Sequence, residues 1–257
     1  MHFANDSNIT LVLTSCGRLD LLQKTLESFD RYNTAPIREV LITEDSGNEG
    51  VHQAIPHSWR PFTRVFINRP QLGQIASIDM AYAEVRTSLI FHCEDDWEFY
   101  RPGFIEDSLA ILEAVPTVLQ VWLRSYAHDI RIHSPYHHLG PRRMIAGVAC
   151  YPLLSDKPDW QGFSFNPGLR RLADYQRLAP YAEKGGEKRL SIDYAELGLT
   201  AMVLEGDAVL HTGFEAHVVV PKERSRKKSR RRIDRWKMVL CAVLGLACGF
   251  ALGALPW

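Results

Sequence analysis

The chain has no Cys-x-x-Cys pair, and its five cysteines (Cys16, Cys93, Cys150, Cys241, Cys248) are scattered and odd in number. That excludes a zinc-finger-like site or a disulfide framework and points to a reducing compartment. The first ten residues, MHFANDSNIT, lack the basic start and apolar run of a secretory signal, so mature secretion is not expected. No repeat or low-complexity tract interrupts residues 1–221, and no Gly-rich phosphate loop with a lysine follows the first apolar run, where TSCGRLD stands instead. Net charge is also missing, since 30 Lys+Arg offset 30 Asp+Glu.

That zero conceals a division. Residues 222–237, KERSRKKSRRRIDRWK, hold 10 of the basic and 2 of the acidic groups, leaving the first 221 residues with 20 basic and 28 acidic groups, a net of −8. Beyond them, residues 238–257 carry no charge over 20 positions. As a helix rising about 1.5 Å per residue this segment spans roughly 30 Å, a bilayer's hydrocarbon core. Trp236 and Trp257 bracket it, where indoles favour the interface, and the basic flank belongs on the cytoplasmic side. The expected organisation is a cytoplasmic domain (1–221), a basic juxtamembrane linker (222–237) and a single-pass C-terminal anchor (238–257). The linker's partner is then anionic lipid headgroups rather than nucleic acid. Gly245, Gly249 and Gly253 recur every four residues, a small-residue face that would allow a homodimer.

Short apolar runs alternate with amphipathic stretches through the first half. Strands are predicted at 9–13, 39–43, 64–67 and 88–93, and helices at 18–32, 72–85 and 103–115, with Leu19, Leu22, Leu26 and Phe29 on one face of the first and Ile75, Ile78, Ala81 and Tyr82 on one face of the second. Continuous apolar strands alternating with helices make a mainly parallel α/β sheet flanked by helices. Ligands bind such sheets at the carboxyl ends of the strands. Three polar clusters fall there: TSCGR (14–18), EDSGN (44–48) and the acidic triplet Glu94, Asp95 and Asp96. Like charges this close disfavour each other's ionisation unless a cation or a hydrogen-bond donor offsets them. A solvated loop capping the next helix is the plain alternative, but three such clusters on one rim point to a site.

The blocks ITLVLTSCGRLDLLQKTLESF, EVLITEDSG, NRPQLGQIASIDMAYAEV and LIFHCEDDWEF, in this order and spacing, resemble family 2 glycosyltransferases with the nucleotide-diphospho-sugar transferase-like, glycosyltransferase A-type fold. The resemblance covers residues 8–115 well and 160–215 more loosely. It implies a nucleotide-sugar donor, a Mg²⁺ or Mn²⁺ cofactor, a sugar, lipid-linked or protein acceptor, and an inverting displacement. By the family's Asp-any-Asp motif, Asp96 is the metal ligand, with Glu94 toward the ribose or a metal-bound water and Asp95 beside them. Thr14 and Arg18 would line the nucleotide pocket, although Gly17 stands where the family usually has Asn. Glu44, or Asp45 one position on, would read the base or ribose; Asp79 would face the donor, and Arg69 would reach a phosphate.

In the second half, GFSFNPGLRRL (162–172) is similar to the segment that closes over the donor. The family's base position, which takes the acceptor hydroxyl's proton, matches Glu187 better than Asp193 or Glu196. His211 matches the histidine that completes the metal site. His133, His137 and His138 have no metal-ligand spacing and are expected in an acceptor loop. A nucleotidyltransferase on a similar sheet and a non-catalytic, membrane-anchored nucleotide-sugar binding adaptor are the alternatives. The missing phosphate loop counts against the first, and the intact acids against the second.

Overall fold

The structure, a computed structural model, describes residues 1–213. In chain order it contains β1 (Ile9–Ser15), α1 (Leu19–Tyr32), β2 (Glu39–Glu44), α2 (Val51–Ala54), β3 (Thr63–Ile67), α3 (Gln74–Ala83), β4 (Leu89–Glu94), β5 (Trp97–Phe99), α4 (Phe104–Ala114), β6 (Val118–Trp122), α5 (Arg131–His133), β7 (His137–Leu139), β8 (Arg143–Ile145), β9 (Val148–Ser155), β10 (Gly168–Arg171), α6 (Leu172–Gln176), α7 (Glu187–Glu196), β11 (Thr200–Leu204) and β12 (Val209–His211). The four strands and three helices expected over residues 9–115 all form.

The central sheet has the order β10-β4-β1-β2-β3. Strands β1 to β4 run parallel, and β10 adds antiparallel to β4, Gly168 opposite His92. Side chains alternate between the faces of each strand, and the core divides accordingly. Leu11, Leu13, Val40, Ile42, Phe91 and Cys93 pack on one face with Leu22, Leu26 and Phe29 of α1 and Ile111 and Leu112 of α4. Val12, Leu41 and Ile90 point the other way, to Ile78, Ala81 and Tyr82 of α3 and Leu190 and Tyr194 of α7. Burial on both faces explains why these strands read as continuous apolar runs.

The parallel reading holds for this sheet alone. A second sheet, β6-β11-β9-β7 with β8 also on β9, is antiparallel except for β6 and β11, so the fold is a mixed α/β one. A two-stranded ribbon joins β5 to β12 and sets Trp97 opposite His211. In the central sheet Thr14 is level with Glu94 and Ser15 with Glu44, so the predicted polar clusters share one rim. Among the described residues no helix is long and apolar enough to cross a membrane. The predicted linker at 222–237, the span at 238–257 and the last residues of the 1–221 domain lie outside the described residues.

Candidate active site

The rim begins with two carboxylates that build its walls. Glu44, fully buried at the end of β2, accepts from the Gly17 N–H at 3.0 and 3.2 Å and from the Ser46 N–H at 2.8 Å, with the Ser46 hydroxyl also on it. It therefore clamps the loop after β1 to the loop after β2. Gly17 turns with φ +73°, and a Cβ there would meet Ser46 Oγ at 3.2 Å. Asp45 accepts from Asn68 Nδ2 (2.8 Å), Ser77 Oγ (3.1 Å), Leu72 N–H (2.8 Å) and Gly73 N–H (2.8 Å). Both carboxylates, expected to read the base or ribose, are engaged within the protein. Asp79 likewise accepts from the Tyr175 hydroxyl and from the Tyr181 and Ala182 N–H groups, tying α3 to residues 175–182. Arg69 is exposed, donates to the Gly47 carbonyl at 2.8 Å and pairs with Glu49, bracing that loop.

The acidic triplet lies beyond these walls. Thr14, buried, stands level with Glu94. Glu94 accepts from Gln74 Nε2 at 2.6 Å and Trp97 Nε1 at 3.2 Å. Burial, then the nearby Asp96 and Glu187 carboxylates, push its carboxyl up to about 8. The cation that offsets Asp95 and Asp96 here is a side chain of the protein. Arg18 donates Nε to Asp95 Oδ2 at 3.3 Å, Nη2 to Asp95 Oδ1, and Nη1 to Asp96 Oδ2 at 2.7 Å. Asp95 also takes the Cys16 N–H, yet burial outweighs these contacts and raises it to about 6. For Asp96 the balance reverses: burial works to raise it, but His211 and Arg18 together hold it below its ordinary value.

His211 reaches Asp96 across more than a hundred residues of chain. The β5–β12 ribbon sets its ring 4.7 Å from that of Trp97, tilted by 43°, and brings Nε2 to 3.3 Å from Asp96 Oδ2. Thr212 donates its N–H to the Asp96 carbonyl at 2.8 Å and its hydroxyl to the same oxygen at 3.0 Å. Gly213 packs so closely that a Cβ there would lie 2.7 Å from Asp96 Cβ. The sequence-predicted metal pair, Asp96 and His211, is thus brought together.

Glu187 opens α7, its Oε1 accepting the Phe165 N–H at 2.8 Å. Burial raises its pKa, with the Phe165 N–H and the Ser164 hydroxyl pulling it partly back. Its charge is felt at Glu94, which places the two in one neighbourhood. Asp193 and Glu196, the other base candidates, pair with Arg189 at 2.6 and 3.9 Å. The 162–172 segment contributes core through Phe163 and Phe165 and edge strand β10, and it presents a backbone donor to Glu187.

The same fold occurs in the mannosyltransferase PcManGT from Pyrobaculum calidifontis, solved in complex with GDP-Man and Mn²⁺ (TM-score 0.58, 13% identity, 97% of this chain and 66% of that one). It occurs in S. aureus TarS (0.55, 14%, 83% and 61%) and in GalNAc-T7, solved with UDP, GalNAc and Mn²⁺ (0.56, 13%, 79% and 43%). The fold is the glycosyltransferase A type. The chain spans about two thirds or less of each of these proteins. No protein-family model matches the sequence, and a search of curated proteins finds no match.

On this glycosyltransferase A-type fold, the donors present suit a cation that brings ligands with it. Among the described residues no three His, Cys, Asp or Glu side chains form a ready cage. Asp96 and His211 supply two donors, and Asp96 Oδ1 is buried without a hydrogen-bond partner. A hard divalent cation is commonly held this way, by one or two protein ligands with phosphate oxygens and water completing its shell.

Two features had no sequence signal. Arg124, buried, forks onto Asp129 at 2.8 and 2.5 Å and lies over the rings of Trp97 and Trp122, supporting the ribbon that carries His211. Arg170, buried in β10, donates to the Ser164 and Asn166 carbonyls and so shapes the turn that faces Glu187. The expected histidine cluster is partly core: His137 is buried in β7, and desolvation lowers it to about 4.

Proposed function

We propose that the protein is a divalent-cation-dependent glycosyltransferase that moves a sugar from a nucleotide-sugar donor to an acceptor hydroxyl with inversion. The observation that carries this is the convergence of Asp96, His211, Arg18 and Glu94 on one strand-end rim, in the electrostatic neighbourhood of Glu187. Solved proteins of similar fold that hold GDP-Man, or UDP with GalNAc, together with Mn²⁺ support the donor class.

Asp96 and His211 would hold Mg²⁺ or Mn²⁺, which when bound supplies Lewis-acid stabilisation of charge on a departing diphosphate. Thr14 and Arg18 line the nucleotide side, Asp95 orients the Arg18 guanidinium, and Glu94 faces the donor. Glu187 takes the acceptor hydroxyl's proton, work suited to a carboxylate whose pKa burial has raised toward neutrality. Attack opposite the leaving diphosphate inverts the anomeric centre. Glu44, Asp45 and Asp79 hold the pocket walls. Residues 222–237 and 238–257, by charge and apolar length, anchor this domain to the cytoplasmic membrane face, where sugar, lipid-linked or protein acceptors are within reach.

A thermal-shift screen of nucleoside diphosphates and their sugars, each with and without Mn²⁺, tests the reading. Ligands of the folded form raise apparent stability. One nucleotide family should raise the melting temperature, and more so with Mn²⁺; a flat response to the whole panel would contradict the proposal.

A further inference from the structure

Arg18 occupies the position a cation would be expected to take. Its guanidinium bridges Asp95 and Asp96, reaching both Asp95 oxygens and Asp96 Oδ2. The Asp96 oxygen it holds is the one nearest His211 Nε2. Arg18 is also the outermost member of the group, with its side chain 21% exposed against 1% for Asp95 and 7% for Asp96. A divalent ion arriving alone would therefore meet a fixed positive charge, and a metal ligand already paired.

A nucleoside diphosphate changes that balance. It offers Arg18 Nη1 a phosphate oxygen in place of Asp96 while Nε and Nη2 stay on Asp95, and it offers the ion the oxygen ligands that two protein donors lack. The Arg18 guanidinium is carried on a long stem based at the junction of β1 and α1. We propose that Arg18 is a resident counter-cation that couples metal loading to the nucleotide: it excludes the bare ion and releases Asp96 when a diphosphate takes the guanidinium. This rests on the glycosyltransferase reading above. Such coupling keeps the buried carboxylates neutralised in both states. It is also reciprocal: whatever factor the diphosphate adds to ion affinity, the ion adds to diphosphate affinity.

The test is Mn²⁺ binding to the full chain in detergent, followed by loss of the free-ion electron paramagnetic resonance signal, alone and with saturating GDP or UDP. Wild type should bind Mn²⁺ weakly alone, and at least about tenfold tighter with one of the two nucleotides. Arg18→Met should bind Mn²⁺ alone at least about tenfold tighter than wild type, with most of the nucleotide's enhancement gone. Arg18→Lys keeps the charge but not the fork and should fall between them, which guards against a folding defect in the first variant. If both variants bind Mn²⁺ alone no tighter than wild type while the nucleotide still enhances binding, the coupling role is wrong and the metal reading stands. If wild type binds no Mn²⁺ even with either nucleotide, the metal-dependent reading fails and the coupling fails with it.

Discussion

Asp45 separates a pocket-building carboxylate from a ligand-reading one. Its Oδ1 accepts from Asn68, Ser77 and Leu72, and its Oδ2 from Gly73, joining β2 to the start of α3. In Asp45→Asn the amide oxygen can keep the Oδ1 partners, but the NH₂ group then opposes the Gly73 N–H. The opposed donor costs about 1 kcal/mol at this half-buried site, and loss of charge assistance at the other three adds a further ~1–2 kcal/mol. The expected total of about 2–3 kcal/mol lowers the melting temperature by roughly 5–10 °C, at about 2–4 °C per kcal/mol for a domain of this size. Thermal denaturation of wild type and variant, followed by circular dichroism with and without nucleotide, measures this directly. An Asp45→Asn protein that melts like wild type but loses nucleotide affinity would refute the argument and return Asp45 to the ligand.

Glu187→Gln preserves shape and the Phe165 contact but cannot take a proton, so turnover should fall on the order of 10²-fold or more with donor affinity within a few-fold; normal turnover would exclude Glu187 as the base. Glu94 is raised from 4.5 to about 8. The folded protein therefore binds more protons than the unfolded chain between those values, and stability falls as pH rises across that window. In chelator, melts from pH 5 to 8.5 should show that Glu94→Gln flattens this decline, whereas parallel curves would contradict it. Removing residues 236–257 should release an active enzyme from membranes. If the full chain instead washes off in carbonate, the contact is peripheral.

The repeating pattern of the first half was legible because each β–α unit buries its own apolar face locally. Strands β1 to β4 and helices α1, α3 and α4 could be read from runs such as ITLVL and from the spacing of Leu22, Leu26 and Phe29. The second sheet was not legible. Strands β7 and β8 are three residues each and β9 is irregularly buried, so no regular strand–helix alternation marks this sheet. In the central sheet, β10 inserts beside β4 through a pairing of residues far apart in sequence. The rim's location followed from the strand-end rule, and the Asp96–His211 pair from family resemblance. What carboxylates do there depends on partners that pattern cannot supply. Glu44 and Asp45 look like ligand contacts in sequence, and only the fold shows that they also accept hydrogen bonds from Gly17, Ser46, Asn68 and Gly73. The sequence called for a cation or a donor to offset Glu94–Asp96, and Arg18, 77 residues before Asp95, is a side chain by which the fold offsets Asp95 and Asp96. Arg124 and Arg170 carried no signal because a buried arginine and a surface one are the same letter.

The most direct measurement is nucleoside diphosphate release from a panel of nucleotide sugars, with candidate glycan and lipid-linked acceptors, by wild type and Asp96→Asn. Release is expected with one donor family, with loss in chelator, restoration by Mn²⁺ or Mg²⁺, and no restoration in the folded Asp96→Asn protein. Turnover by Asp96→Asn equal to wild type, or release unaffected by chelator, would contradict the metal-dependent reading.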